Sequence, residues 1–435
     1  MENKYFKEFI DFLYQARKQY RDHPLKSMAP YIDLVIKYHE QIDRASREGE
    51  PIVAHLVLTP IEIYYAMGIT PIFVEWYALF NTFFRGVQEF LDIAAGFGLP
   101  SEVCSVHRTT DAMVIANAFP KPKCYVYTSQ VCDNTPKSGE GMAELHGVPF
   151  YLMDRPYNYT KENFAYYVGE IKGLIQFLEK QFDRKMDYDR LKEVVMKSYR
   201  VSQLWMEIND LRKAIPEPLP ADGIFAQTSV MWMMAGTDEA VTFYEDFVKE
   251  LKWRVENKVS AVPNERFRLL LSFMIPFWDM SIMDWIQEKH GGVIAMDMLN
   301  MWGGDRGDWM IDPDKPIENL ALKTFLHPAG CLLHGPMEPL RERVVQCARE
   351  YTVDGAVFFS PIGCRQSCAC IRSIKDVLRE KAGIPMVNID CDLVDKTFTT
   401  REEQLEALER LFERLEETKS LRTTGPIRSK LASRG

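Results

Sequence analysis

The fold is decided by the stretch Asp354 to Asp395, DGAVFFSPIGCRQSCACIRSIKDVLREKAGIPMVNIDCDLVD. Ala356 to Ser360 is an apolar and aromatic run without polar alternation, which is typical of a strand buried on both faces. A turn follows, then a predicted helix over Ser373 to Lys381 and a second buried strand over Pro385 to Asp390. In such a β-α-β unit the turn after the first strand lies at the carboxyl edge of the sheet, where these folds bind ligands. Cys364 is therefore predicted at the functional edge.

The same order of elements occurs earlier in the chain. Lys123 to Ser129 predicts an apolar strand, Cys132 follows it, and Gly147 to Asp154 (GVPFYLMD) matches Gly383 to Asp390 (GIPMVNID). A similar pair of predicted strands precedes each unit, namely Pro51 to Pro60 with Ile69 to Glu75, and Phe267 to Pro276 with Gly291 to Asp297. The sequence therefore predicts an α/β protein with two similar Rossmann- or flavodoxin-like parallel-sheet domains that face one another across a cleft.

The remaining segments are predicted to be helical or loose. Residues 1–48 have apolar positions at helical spacing and predict an N-terminal helical cap. Residues 158–260 are strongly amphipathic and predict a helical insert between the first α/β domain, 49–157, and the second, 261–418. The basic and polar tail, 419–435, is predicted to be loose or to reach a neighbour.

Composition limits the function classes. The 435 residues are enough for two or three domains. A net charge of −9, without a basic cluster in a candidate site, argues against nucleic acid as the main partner. No run of about 18 apolar residues predicts a membrane span, and the charged N-terminus is unlike a signal peptide. We therefore expect a cytoplasmic protein without a membrane partner.

Nine cysteines in a cytosolic chain are buried apolar residues, reactive thiols or metal ligands rather than disulfide partners. Cys124, inside a strand, and Cys347, inside a helix, are predicted to be small buried side chains. Cys331 is not favoured as a ligand. Cys391 follows the last strand, where a structural role is favoured over one in the cleft.

Cys104, Cys132 and Cys364 differ because each occupies a break next to polar or glycine residues. Cys104 lies at a predicted helix start, where the helix N-terminus and Arg108 would favour a thiolate. His107 is interpreted as a surface or capping histidine. Three thiolates that converge between two domains, without an obvious fourth protein ligand, suit an iron–sulfur cube with one open iron, which is a Lewis acid.

Several short motifs do not carry function. Arg306 to Asp308 spells an adhesion tripeptide by chance. CRQSCAC has C-x3-C-x-C spacing rather than the C-x3-C-x2-C of radical enzymes that use S-adenosylmethionine. Paired C-x2-C zinc motifs and a phosphate-binding G-x4-G-K-[ST] loop are both absent from the sequence.

The ordered motifs resemble the 2-hydroxyacyl-CoA dehydratase and benzoyl-CoA reductase family. They are, in order, TPIEIYYAMGITPIFV, LPSEVCSVHR, the strand with VCDN, GVPFYLMDRPY, DGAVFFSPIGCRQSC and GIPMVNIDCDLVDKTFTTREEQLEALERL. The resemblance covers about residues 50 to 415, and the ordered set is far more specific than any one motif.

The resemblance implies an iron–sulfur enzyme subunit. The positions that match the family's motif cysteines are Cys104, Cys132 and Cys364, which would hold a [4Fe-4S] cluster. A separate ATP-hydrolysing activator protein with its own cluster would inject one electron, and the thioester of an acyl-CoA substrate would become a ketyl radical that loses its 2-hydroxyl group. A homologous partner subunit or a homodimer is implied as well. Glu62, in a helical turn near the sheet edge, is the candidate for proton handling, although the helix dipole alone explains an acid there.

Alternatives remain open at this stage. Cys368, Cys370 and Cys391 are extra thiols near Cys364, and relatives with an [8Fe-9S] double-cubane cluster need more cysteines. A benzoyl-CoA reductase subunit uses the same fold and the same one-electron chemistry. The chain could also be a scaffold or electron relay for a catalytic partner, or a plain flavodoxin-like binding module.

Overall fold

The computed structural model describes residues 3–130, 132–302, 309–327 and 334–424. Cys331 and the tripeptide Arg306 to Asp308 lie outside the described residues, and so does most of the basic tail. The two predicted α/β domains are present, each with one parallel sheet.

The two sheets have the same topology. The first contains β1 (Ile52–His55), β2 (Thr70–Phe73), β3 (Cys124–Thr128) and β4 (Phe150–Met153) in the order β2-β1-β3-β4. The second contains β5 (Phe267–Leu271), β6 (Gly292–Asp297), β7 (Gly355–Pro361) and β8 (Met386–Cys391) in the order β6-β5-β7-β8. Every strand pair is parallel. The prediction of two duplicated parallel-sheet units is confirmed.

Helices surround both sheets. The N-terminal part contributes α1 (Lys4–Gln19), α2 (Met28–Glu48), α3 (Ile61–Ala66), α4 (Val74–Arg85), α5 (Gln88–Phe97), α6 (Ser105–Ile115) and α7 (Asn134–His146). The middle part contributes α8 (Lys161–Phe182), α9 (Tyr188–Leu211), α10 (Gly223–Met234) and α11 (Asp238–Glu256). The second α/β unit adds α12 (Ser281–His290), α13 (Met298–Trp302), α14 (Pro316–Phe325), α15 (Met337–Glu350), α16 (Arg365–Val377) and α17 (Arg401–Thr424). Among the described helices, none has the length and apolar character needed to cross a bilayer.

The strand order indicates where each sheet can bind a ligand. In each sheet the order reverses between the first and third strands in the chain, β1 and β3 or β5 and β7. Parallel sheets of this kind bind ligands in the crevice beyond the carboxyl ends of the strands at that reversal. The loops after β1, β3, β5 and β7 are therefore the ones that can form a site.

Three predicted elements differ from the observed ones. The strand predicted over Pro51 to Pro60 ends at His55, and Leu58 then adopts a φ of 68°, which an extended strand does not allow. The strand predicted over Ile69 to Glu75 ends at Phe73, so that Glu75 lies in the first turn of α4. The helix predicted from Ser373 begins at Arg365, because the polar residues after Cys364 form its first turns.

The helical insert joins the two α/β units through buried contacts. α9 packs against α3 of the first unit and against α14 of the second. The guanidinium of Arg212, at the end of α9, donates to the Asp297 carboxylate at 2.8 Å, and both side chains are buried. The insert is thus part of the framework that fixes the two sheets relative to one another. The predicted domain boundaries stay a prediction.

Candidate functional site

All three candidate cysteines lie at helix N-termini beyond the sheets. Cys104 is the N-cap residue of α6, and Cys364 is the N-cap residue of α16, directly after β7. Cys132 lies between β3 and α7, two residues before the helix begins. Each is half-buried and carries a free thiol. Cys132 and Cys364 thus occupy equivalent places in the duplicated units, because each follows the third strand of its sheet and precedes a helix.

The turns that carry Cys104 and Cys364 are in direct contact. A Cβ atom added to Gly363 would lie 2.6 Å from the Cα atom of Cys104 and 2.7 Å from its backbone nitrogen. Burial, together with the neighbouring thiols of Cys364 and Cys132, raises the pKa of Cys104. The structure therefore brings the three sequence-predicted thiols together between the two α/β units.

Polar contacts cross the gap between the two α/β units and hold these cysteine-bearing turns in place. The Ser105 hydroxyl donates to the Asp392 carboxylate at 2.5 Å, and Arg108 lies 3.6 Å from the Asp395 carboxylate. Arg365, next to Cys364, pairs with Asp133, next to Cys132, at 2.7 Å. The first two contacts join α6 to the loop after β8, and the third joins α16 to the start of α7.

Backbone N–H groups point at the sulfur atoms. The N–H groups of Asn134 and Thr135 donate to Cys132 and lower its pKa against the larger effect of burial, and the Thr135 hydroxyl oxygen lies 3.0 Å from the sulfur. The N–H groups of Val106 and His107 act in the same way on Cys104. A helix N-terminus favours a negative group. The three sulfur atoms therefore lie where a thiolate, or an anionic cluster, is stabilised.

The donor set suits an iron–sulfur cluster. Within the described ranges, no group of three or more His, Cys, Asp or Glu side chains is arranged to hold one metal ion. A cubane cluster takes each thiolate on a different iron, so the sulfur atoms need not converge on one point, and hydrogen bonds to sulfur are part of such sites. Cys104, Cys132 and Cys364 meet these requirements.

His107 belongs to this site, and its interpretation as a surface or capping residue is wrong. The ring is buried, and its Nε2 atom lies 3.5 Å from the sulfur of Cys132. The reason is that α6 turns this face toward the loop that carries Cys132. Its Nδ1 atom has no hydrogen-bond partner in the described part of the chain.

Glu75 is a site residue that sequence reasoning missed. It is buried in the first turn of α4, and neither carboxylate oxygen has a hydrogen bond of good geometry to a described residue. Burial raises the pKa of Glu75 to about 8, and nearby His107 and the Tyr127 hydroxyl oppose that shift. An acid inside the largely apolar run ITPIFVEWYALF is the available sign, but the first part of that run, Ile69 to Glu75, has the pattern of a strand.

Glu62 also lies near the carboxyl edge of the first sheet, but in the wall of a separate cavity. Its buried carboxylate accepts a hydrogen bond from Ser198 at 2.5 Å and pairs with Lys323 at 2.7 Å. Together with Lys323 and His55 it lines a cavity of about 40 Å³ beyond the end of β1. A proton-handling role for Glu62 stays a prediction.

The other cysteines divide by burial. Cys124 and Cys347 are fully buried, which confirms their assignment as small core side chains. Cys368 is exposed, with its sulfur 3.5 Å from the Ser360 hydroxyl oxygen. Cys370 and Cys391 are buried, and burial raises the pKa of Cys370 to about 12. An additional cluster on these three thiols stays an alternative.

Comparison with known proteins identifies the relatives. A family model described as 2-hydroxyglutaryl-CoA dehydratase, D-component, matches residues 56–415. Lactoyl-CoA dehydratase subunit alpha of Anaerotignum propionicum is 22% identical over 396 residues, which cover 83% of this chain and 91% of the relative. The alpha subunit of (R)-2-hydroxyglutaryl-CoA dehydratase of Acidaminococcus fermentans is 23% identical over 164 residues, 37% of this chain and 34% of the relative. The (R)-phenyllactyl-CoA dehydratase alpha subunit of Clostridium sporogenes is 23% identical over 228 residues, 50% and 56% of the two chains.

The matched region contains the second sheet, the strands β2, β3 and β4 of the first sheet, the helical insert and the three clustered cysteines, and it begins directly after β1. The resemblance predicted from the ordered motifs is confirmed, and the two parallel sheets agree with the predicted architecture. The chain belongs to the 2-hydroxyglutaryl-CoA dehydratase D-component family.

Proposed function

We propose that this chain is the iron–sulfur subunit of an ATP-activated 2-hydroxyacyl-CoA dehydratase. The observation that carries the proposal is the meeting of three thiols from two α/β units, each at a helix N-terminus. Its relatives are named as alpha subunits of dehydratases that act on 2-hydroxyacyl-CoA thioesters. These names favour a dehydratase over a benzoyl-CoA reductase subunit.

The reaction explains why such a site is needed. The β-hydrogen of a 2-hydroxyacyl thioester is hardly acidic, so direct elimination of water is slow. One electron added to the thioester carbonyl gives a ketyl radical, from which hydroxide leaves and the β-proton becomes removable. The same electron is returned at the end, and the net products are the enoyl thioester and water. A [4Fe-4S] cluster held by Cys104, Cys132 and Cys364 would supply one-electron transfer and a Lewis-acidic iron.

The side chains around the thiols would move the protons. Glu75 is a buried carboxyl whose pKa of about 8 lies near neutral pH, so that the protonated form is in equilibrium with an ionised form that would accept the β-proton. Lys323, held by Glu62, lines the neighbouring cavity and would give a proton to the departing hydroxide. Glu62 then handles protons through the lysine that it orients.

Two protein partners follow from this function. Electrons of low potential would come from an activator iron–sulfur protein that hydrolyses ATP, since the sequence of this chain has no phosphate-binding loop of its own. The naming of the relatives as alpha subunits supports a second, homologous subunit in the working enzyme.

The test is anaerobic purification with iron and sulfide counts and a low-temperature spin-resonance spectrum. About four irons per chain, lost in Cys104→Ala, Cys132→Ala and Cys364→Ala, are expected for the [4Fe-4S] assignment. Cys347→Ala, which changes a buried cysteine in α15, is the matched control and is expected to keep its iron. Addition of the second subunit, the activator, ATP and a 2-hydroxyacyl-CoA should then give the enoyl-CoA.

Other iron counts separate the alternatives. About eight irons that also depend on Cys368 and Cys391 would support the double-cubane reductase instead. A folded anaerobic protein without iron would overturn the proposal and leave a plain binding module.

A further inference from the structure

A cavity of about 190 Å³ lies where four parts of the chain meet. Its walls come from α2 of the N-terminal cap, from α4 of the first unit, from α10 of the insert, and from α12 of the second unit with the loop before it. An apolar cavity of about 150 Å³, engineered into another protein, takes up benzene. The cavity therefore has room for a group the size of one aromatic ring.

Aromatic and sulfur-bearing side chains form the floor of this cavity. Tyr31, Phe277 and Met283 line it and are buried. The Phe225 ring is also in the wall and stands edge-on to Phe277, with the ring centroids 5.5 Å apart. Phe83 lines the cavity as well and is 39% exposed, so the aromatic wall reaches the solvent. Because the face of an aromatic ring is negative, such a wall takes an apolar group and favours one with a positive charge.

Two carboxylates line the cavity where it opens to solvent. Asp222, the N-cap residue of α10, is already paired, because its Oδ2 atom lies 2.6 Å from Nε2 of His23. Asp284, in the first turn of α12, is exposed, and it has no ion pair or side-chain hydrogen bond to another described residue. Burial, and after it the nearby carboxylates of Asp222, Glu288 and Asp279, raise the pKa of Asp284. The mouth of the cavity therefore has an excess of negative charge.

The cavity is separate from the thiol site. Phe83 lies in the last turn of α4, whereas Glu75 lies in the first turn of the same helix. These two positions are about 12 Å apart along the helix axis, at 1.5 Å per residue. Among the described residues, no cysteine lines the cavity. A ligand here would therefore contact the N-terminal cap and the second unit rather than the thiols.

We propose that this cavity binds a small organic cation, an amine on an aromatic or branched apolar group, with the ammonium group at the Asp284 carboxylate. The inference goes beyond the proposed function, in which no amine takes part. The helix dipole explains an acid in the first turn of α12, but it does not explain a ring-sized aromatic cavity beside that acid. Volume, aromatic wall and unpaired carboxylate together match an apolar amine, and the same charge repels an anion. Because the ligand binds only the folded chain, it stabilises that form.

The test compares three compounds by calorimetry on the full chain. They are 2-phenylethylamine, 2-phenylethanol and 3-phenylpropionate, which share a ring and a two-carbon chain but end in a cation, a neutral group and an anion. The native chain is expected to bind the amine about tenfold more tightly than the alcohol, as for one charge-assisted hydrogen bond, and to bind the acid most weakly. The amine should also raise the urea concentration at the midpoint of unfolding, and the acid should not.

Variants of one exposed residue locate the charge without disturbing the core. Asp284→Asn keeps the shape but not the charge, so it should lose most of the preference for the amine while its affinity for the alcohol is unchanged. Asp284→Glu should retain the preference. Asp189→Asn, an exposed aspartate in the first turn of α9, is the matched control and should behave as the native chain.

Three results would overturn the inference. They are no binding of the amine, equal binding of amine and alcohol by the native chain, and a full preference for the amine in Asp284→Asn. Iron content and dehydration have no part in these measurements, so a failure here leaves the proposed function untouched, and a failure of the proposed function leaves this site untouched.

Discussion

Glu75 is the residue whose surroundings are hardest to explain by folding alone. A buried carboxyl without a good hydrogen bond costs free energy that packing must offset. Such groups concentrate where a perturbed pKa is useful for chemistry. Its neighbours are His107, Tyr127 and the Cys132 thiol, all at the candidate site.

We expect Glu75→Gln to change the pH dependence of stability. The pKa of Glu75 is about 8 in the folded chain and near 4.3 in the unfolded chain, so between these values only the folded state keeps the proton. The native chain should therefore lose stability as pH rises through this window, by about 1.4 kcal/mol per pH unit. The variant lacks this loss, and urea titrations from pH 5 to 8 should show a widening gap in its favour.

The same variant should lower kcat by about 10²- to 10⁴-fold if Glu75 takes the β-proton, without loss of iron. Glu89→Gln, which changes an exposed carboxylate in the first turn of α5, is the matched control and should keep the native kcat. If the free energy of unfolding depends on pH in the same way in the native chain and in Glu75→Gln, and kcat is unchanged, then the carboxyl is only a structural group.

We expect His107 to adjust the redox potential of a bound cluster. If Cys132 is a thiolate ligand, the Nε2 atom at 3.5 Å must be the donor, and hydrogen bonds to cluster sulfur favour the reduced, more negative state. His107→Leu should lower the midpoint potential by on the order of 60 mV, a tenfold change for one electron. Spin-resonance redox titration measures this, and His107→Gln, which can still donate, is the control. A potential unchanged in His107→Leu would rule out the bond.

The residues differ in how far sequence could reveal them. The positions of Cys132 and Cys364 beyond buried strands, and of Cys104 at a helix start, were predictable from local sequence patterns. Glu75 and His107 were not, because their importance comes from burial against Cys132, which is distant in the chain from Glu75. The hydrophobic pattern also gave the wrong element for Glu75, because a strand and a helix follow one another within a single apolar run.

At the scale of elements, the site depends on helix N-termini that approach one another closely. The turn before α16 comes so near to the start of α6 that only a glycine fits at position 363. This requirement is steric, since the nearest atoms are backbone atoms of Cys104 that cannot rotate away. The sequence alone could not show which atoms Gly363 faces.

Gly363→Ala is expected to separate the two cysteine-bearing turns. The added methyl group would lie 2.6 Å from the Cα atom of Cys104, so one turn must shift and the thiols move apart. We expect most of the iron to be lost in the anaerobic count and the chain to be destabilised by about 1–3 kcal/mol. Gly169→Ala, in α8 with open space around the new methyl group, should keep its iron and gain up to about 1 kcal/mol. Full iron content in Gly363→Ala would contradict the close approach.

At the scale of the whole molecule, the duplicated units supply complementary parts of one site. Cys104 and Cys132 come from the first unit and Cys364 from the second, so neither sheet holds the donor set by itself. The pairing of like topologies was predictable from the repeated sequence pattern. The contacts that fix the gap were not, because Ser105 and Asp392 are polar residues without a recognisable motif and meet across 287 positions.

The bond between Ser105 and Asp392 offers a direct measure of how strongly the two units hold each other. The buried Asp392 carboxylate accepts from the Ser105 hydroxyl across the gap and from the N–H groups of Val394 and Asp395 within its own loop. A double-mutant cycle with Ser105→Ala and Asp392→Ala isolates the contribution that crosses the gap. We expect a coupling free energy of about 1–2 kcal/mol from urea titrations, since the bond is buried and one partner is charged.

The same cycle, repeated with iron present and absent, tests whether the gap and the site are one unit. If cluster thiolates span both units, bound iron holds the gap closed and stabilises only the folded form. The single variants at Ser105 and at Asp392 should then lose iron to a chelator more readily than the native chain does. The iron loss of the double variant should differ from the sum of the two single losses. Strict additivity of both stability and iron retention would mean that Ser105 and Asp392 act independently. In that case the two sheets would be positioned by the helical insert, through α9, rather than by contacts beside the thiols.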